Sequence, residues 1–145
     1  MTNQQQEWLD FAKSVALEAG DIMRKYFGKK PDSHFKTNNT IVTVADEEIN
    51  DLVINRVTER YPAHDIDGEE ASQRRGSKYA WACDPIDGTA SFIMGLPVSI
   101  FSLALVIDGQ PEVGAIYAPF SDHLYWASRG RGAYMNSQPI HVSQH

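Results

Sequence analysis

The residues best suited to chemistry in this chain are carboxylates. Asp84 and Asp87 stand three positions apart in the segment Trp81-Ala82-Cys83-Asp84-Pro85-Ile86-Asp87-Gly88-Thr89. An apolar run leads to Asp84, and Pro85 has no N–H for a ladder, so a strand is expected to end there in a tight turn that aims both carboxylates at one point. Hard oxygens so placed suit Mg²⁺, which takes carboxylates, carbonyls and water, and the Ile86 carbonyl offers a third oxygen. Gly88 lets backbone approach a ligand closely, and a helix starting near Thr89 would turn free N–H groups toward an anion beside the cation. The plainer alternative is an Asp-Gly turn with incidental acids; the coincidence of both carboxylates with Thr89 and an anion site speaks against it.

Other acids have structural explanations that compete with function. Thr43 followed by Asp46 fits a capping box, and a first-turn carboxylate is favoured by the helix dipole, so Asp46 taken alone reads as a cap. Asp65-Ile66-Asp67-Gly68-Glu69-Glu70 reads as an acidic loop. It is no calcium loop, because counting from Asp65 the required glycine and final carboxylate positions hold Glu70 and Gly76. Nor does it match an aspartyl-phosphate phosphatase, whose Asp-x-Asp ends a hydrophobic strand; here Tyr61-Pro62-Ala63-His64 precedes it. Cys83 has no basic partner and reads as a small buried hydrophobe. The five histidines show no HxH or HExxH spacing, which argues against zinc, and His64 reads as a surface residue. Gly130-Arg131-Gly132 lacks the rest of a dinucleotide fingerprint.

The positioning elements follow from periodicity. Trp8, Phe11, Val15, Ala19, Ile22 and Tyr26 recur at helical steps, predicting a helix over Trp8 to Phe27 that Gly28 and Pro31 stop. A polar turn around Thr37 to Thr40 leads to a short strand at Ile41 and Val42. A second helix begins after Thr43, buries Ile49, Val53 and Val57, and closes at Pro62. Beyond a basic patch at Arg74, Arg75 and Lys78 the chain turns β-rich, with strands expected at Tyr79 to Asp84, Val98 to Ile107, Glu112 to Ala118, Leu124 to Ala127 and Ile140 to Val142. Asp108-Gly109 is a hairpin signal, and Gly130 and Gly132 mark another turn. Helices first and antiparallel strands afterwards predict a layered α+β domain.

Composition narrows the function classes. The chain has 145 residues, 42% hydrophobic and 22% charged, which is the make-up of a globular domain. Thirteen Lys and Arg against nineteen Asp and Glu leave a net charge of −6, which disfavours nucleic acid and anionic membrane as partners. The lone cysteine excludes an intramolecular disulfide. MTNQQQEW has neither the basic nor the apolar region of a signal peptide, and the apolar run near Val98 to Ile107 is too short to span a bilayer, so a cytoplasmic location is expected.

DPIDGT at Asp84 to Thr89, preceded by an apolar strand and followed by SFIMGLP, resembles the signature of the inositol monophosphatase family of metal-dependent phosphatases. VTVAD at Val42 to Asp46, GEE at Gly68 to Glu70 and GRGAYMN at Gly130 to Asn136 match in order and spacing. The resemblance implies two helices on a largely antiparallel sheet, the N-terminal half of a layered αβαβα fold, with residues 1–145 an N-terminal metal- and phosphate-binding domain and a C-terminal domain absent. It also implies that Glu69, Asp84, Asp87 and the Ile86 carbonyl bind Mg²⁺; that Asp46 and Thr89, with Glu69 alongside, orient and deprotonate a metal-activated water; and that Glu69, Ile86, Asp87 and the amides of Gly88, Thr89 and Ala90 surround the phosphate. Glu70 would stand behind Glu69, and Lys36 would approach the site.

The expected reaction is hydrolysis of a small polyol or sugar phosphate such as inositol monophosphate. Ala90-Ser91-Phe92 replaces the family's more common Thr-Asn-Phe, a variation that also keeps a histidinol-phosphatase type of activity open. Asp67 stands where an apolar residue is usual. Family members are roughly twice this length, and the other half would carry a further metal-binding aspartate. A truncated, non-catalytic metal-binding domain is therefore the rival, and the apolar surface of a half-protein would favour a homodimer.

Overall fold

The computed structural model describes residues 2–29, 33–35 and 41–144. Lys36, Pro31 and the turn expected around Thr37 to Thr40 lie outside the described residues. Helix α1 spans Asn3–Tyr26, starting earlier than its apolar spacing predicts because Thr2 and Gln5 form a reciprocal capping box ahead of Trp8. Its buried face is Leu9, Ala12, Val15, Ala16, Ala19 and Met23. Strands β1 (Ser33–Phe35) and β2 (Ile41–Thr43) pair antiparallel, and β1 has no forerunner in the sequence reading. Helix α2 (Val44–Arg60) is capped by the expected Thr43–Asp46 box and buries the expected Ile49, Val53 and Val57.

Seven strands form the main sheet: β3 (Asp65–Gly68), β4 (Tyr79–Asp87), β5 (Ile100–Ile107), β6 (Gln110–Ala118), β7 (His123–Ser128), β8 (Ala133–Met135) and β9 (Gln138–Ile140). They lie side by side in that order; β3 pairs parallel with β4 and every other pair is antiparallel. Asp108 and Gly109 both take positive φ, the requirement of the two-residue hairpin turn that joins β5 to β6.

Several expected boundaries shift. The Asp65 segment is a strand, not a loop, because Ile66 fills the core beneath it. Strand β4 runs past Asp84, and β5 starts at Ile100 because Val98 is 68% exposed. The last strand is Gln138–Ile140, paired with β8, while Val142 lies exposed beyond it.

Alternation divides the sheet into two faces. Trp81, Cys83, Phe101, Leu103, Leu105, Val113, Ala115 and Tyr117 point into the core under α1 and α2. Each large side chain so buried favours the fold by about 1.5–3 kcal/mol. On the opposite face Ala82, Ser102, Ala104, Gly114, Ile116 and Tyr125 line an apolar groove of about 340 Å³.

Candidate active site

The placement of the two central carboxylates comes from a fault in the β4–β5 ladder. Asp84 pairs with Ser102 and Asp87 with Ile100, so β4 takes three steps where β5 takes two. A strand's side chains alternate, and Asp84 and Asp87 would fall on opposite faces without the extra residue. The bulge brings both to the face of Ser102 and Ile100. Pro85 sits inside this irregularity, where a missing N–H costs no ladder bond, which is why it does not end the strand as its chemistry predicts.

The chain then turns sharply. Gly88 adopts φ 85° and ψ 41°, a left-handed conformation disfavoured for side-chain-bearing residues, and caps the short helix α3 (Thr89–Ile93). The buried Ser99 hydroxyl donates to the Gly88 carbonyl at 2.9 Å and fixes the turn. Thr89 Oγ1 lies 2.9 Å from the Ile86 carbonyl and 3.1 Å from Asp46 Oδ1, so one hydroxyl proton faces two acceptors. The amides of Thr89 and Ala90, in the first helical turn, have no acceptor within the helix.

Asp46 unites its two readings. Its Oδ2 accepts from the Thr43 amide at 2.8 Å and from the Thr43 hydroxyl, capping α2, while Oδ1 faces Thr89. Burial pushes its carboxyl above the usual range, opposed by the hydrogen bonds from Thr43 and Thr89. Glu69 follows β3 and is held to β4 by its own amide, which donates to the Cys83 carbonyl at 3.1 Å.

Asp84 is the focus of the acids. Burial, a hydrogen bond with Glu69 and the charges of Glu69, Asp87 and Asp46 push its carboxyl up to about 7. Its Oδ1 is buried with no hydrogen-bond partner. Among the described residues no three His, Cys, Asp or Glu side chains form a ready-made cation cage. The donor set nevertheless fits a hard cation: an orphaned carboxylate oxygen, crowded like charges that a cation would relieve, and the Ile86 carbonyl. Glu69 and Asp87 each act on Asp84 at this end of β4, and Thr89 bridges Asp46 and the Ile86 carbonyl.

The remaining candidates separate from this cluster. Asp67 pairs with Arg74 at 2.7 Å. Cys83 is buried, and desolvation pushes its thiol far up, as expected of an inert core residue. His64 is not a simple surface residue: it stacks between Tyr61 and Tyr79, and its Nδ1 accepts from Trp81 Nε1 at 3.1 Å. Ser99 is not legible in the sequence because a serine six residues beyond a helix carries no local signal of the turn it braces.

A model of the inositol monophosphatase family matches residues 4–145. The chain belongs to this family. It is 36% identical over 139 residues to the fructose-1,6-bisphosphatase/inositol-1-monophosphatase of Aquifex aeolicus, a match covering 94% of this chain and 53% of that protein. Inositol monophosphatase 3 of Solanum lycopersicum is 35% identical over 143 residues, covering 95% and 53%. The solved IMPase of Thermotoga maritima superposes with a TM-score of 0.90 at 32% identity, covering 95% of this chain and 54% of that one. The chain spans about half the length of the curated relatives it matches. As an inositol monophosphatase family member it has the α+β arrangement expected from its motifs, and none of its described helices is long and apolar enough to cross a membrane.

Proposed function

We propose that this family member provides the metal- and phosphate-binding part of a Mg²⁺-dependent phosphomonoesterase that hydrolyses a small polyol or sugar phosphate such as inositol monophosphate. The observation that carries the reading is the bulge that turns Asp84 and Asp87 to one face, beside the Asp46–Thr89 hydrogen bond. Glu69, Asp84, Asp87 and the Ile86 carbonyl would hold Mg²⁺. When bound, it would neutralise charge on phosphate oxygens and make water easier to deprotonate.

The protein's own groups do the rest. Asp46 Oδ1 accepts the proton of Thr89 Oγ1, which frees the Thr89 oxygen to accept a proton from an attacking water. The raised basicity of buried Asp46 favours that direction of transfer. Glu69, just after β3, would face the same water. The amides of Gly88, Thr89 and Ala90 donate to the phosphate, held in place by the Gly88 turn and Ser99.

Residues 1–145 then form one unit of a longer enzyme, and the apolar groove on the outer sheet face is where a further layer would cover it. Pairing of two copies is supported by the exposed Met94, Leu96 and Val98 beside the site. The net charge of −6 supports a small-molecule substrate rather than nucleic acid, and a single buried cysteine suits a cytoplasmic setting. Release of phosphate from inositol monophosphate, fructose-1,6-bisphosphate and histidinol phosphate, with and without Mg²⁺, tests the reading. Mg²⁺-dependent hydrolysis of a sugar or polyol ester, lost in Asp84→Asn, is expected from the protein of the relatives' length, with weak turnover from the 145-residue chain. Preference for histidinol phosphate would move the substrate, and Mg²⁺ binding without hydrolysis in either form would favour a non-catalytic module.

A further inference from the structure

The two halves of the site sit on different parts of the chain: Glu69 follows β3, while Asp84 and Asp87 belong to β4 and Thr89 opens α3 just after it. The Glu69 amide, bonded to the Cys83 carbonyl, ties them along the strands, and a second tie comes from outside the sheet. One helix touches both. Asp46 in the first turn of α2 bonds Thr89, and Asn50, four residues later on the same helix face, reaches the other half. Asn50 is 2% exposed, and its Nδ2 donates to the Ala71 carbonyl at 3.3 Å, closing the far side of the Glu69–Glu70 turn.

The packing there depends on Gly68. A Cβ at Gly68 would collide with both Asn50 Oδ1 and the Ala71 carbonyl, so the Asn50 amide lies directly against the backbone that precedes Glu69. Ser72 ties the same turn from within by donating to the Gly68 carbonyl at 3.1 Å, but Ser72 is exposed and belongs to the turn itself. Asn50 reaches it from helix α2, on the side away from the bond that the Glu69 amide makes to β4.

We infer that Asn50 is a positioning residue for Glu69, making α2 a ruler that sets Glu69 against Asp84 and Thr89. The inference rests on the proposed role of Glu69 at Mg²⁺ and adds a residue that touches neither metal nor substrate. Removing the amide releases the turn without disturbing the Asp46–Thr89 bond, so the defect is expected in the metal site and not in the turn after β4.

Hydrogen exchange and calorimetric Mg²⁺ titration of the 145-residue chain test it, on wild type, Asn50→Ala and Gly68→Ala. In Asn50→Ala, amides of residues 70–72 are expected to exchange about tenfold faster while those of Val53 and Val57 keep their protection. Mg²⁺ affinity is expected to fall by about tenfold or more. Gly68→Ala, which forces the amide away instead of deleting it, is expected to reproduce both effects, and it carries the test if Asn50→Ala does not fold. Unchanged exchange in the 70–72 turn, or a loosened turn with wild-type Mg²⁺ affinity, would overturn the inference. The exchange measurement needs no metal, so absence of Mg²⁺ binding by the wild type would count against the proposed function separately from the Asn50 contact.

Discussion

Thr89 has one proton and two acceptors, the Ile86 carbonyl at 2.9 Å and Asp46 Oδ1 at 3.1 Å. In the proposed mechanism its hydroxyl relays a proton from water to Asp46, so Thr89→Val should lower turnover by about 10²–10⁴-fold while Thr89→Ser, which keeps the oxygen, retains most of it. Steady-state phosphate release checks this, and comparable rates in the two variants would contradict it. His64 carries a different consequence. Its Nδ1 must stay unprotonated to accept from Trp81, and burial holds its pKa below the usual 6.5, partly offset by Asp65. The unfolded chain therefore takes up this proton first. Stability from this group is complete above about pH 6.5 and is lost as pH falls through the depressed native value. Denaturant melts at pH 7.5 and pH 5 should show that loss, and His64→Gln should flatten it. The spacing of Asp84 and Asp87 is unusual enough to single them out in the sequence, whereas His64 reads as a surface residue there because its stacking between Tyr61 and Tyr79 is created only when the end of α2 meets β4.

At the scale of elements, the site is made by irregularity. The helices were legible because apolar residues three and four apart, with capping boxes at Thr2 and Thr43, are local signals. Strand β3 was not, since four residues containing one buried apolar side chain have too short a period to distinguish from a turn. The continuation of β4 past Pro85 was hidden for a related reason: a bulge exists only relative to its partner strand, and β5 cannot be registered against β4 from the sequence. The turn at Gly88 can be tested directly. A side chain there meets a φ of 85° and a Ser99 Oγ 3.4 Å from its Cβ. Gly88→Ala should cost about 1–2 kcal/mol from the left-handed conformation. Chemical denaturation measures that loss, and Ala at wild-type stability would show that the turn relaxes to another shape.

For the whole molecule, the two faces of the sheet have different fates. One is sealed by α1 and α2; the other leaves Ile116 39% exposed over the groove that includes Ala104 and Gly114. Ile116→Lys should change the stability of the isolated chain by no more than about 0.5 kcal/mol, since it lies outside the sealed core. It should reduce concentration-dependent association in sedimentation, and a large loss of stability would mean that this face is already part of the core.

In the proposed function Asp84, Asp87 and Glu69 act together as a cation site. Calorimetric titration of Mg²⁺ into the wild-type chain and Asp87→Asn, at a pH above the Asp84 value of about 7, measures it most directly. The predicted result is saturable binding by the wild type, weakened about tenfold or more in Asp87→Asn, with the fold of the variant intact. Equal Mg²⁺ binding by both proteins, or none by the wild type, would contradict it.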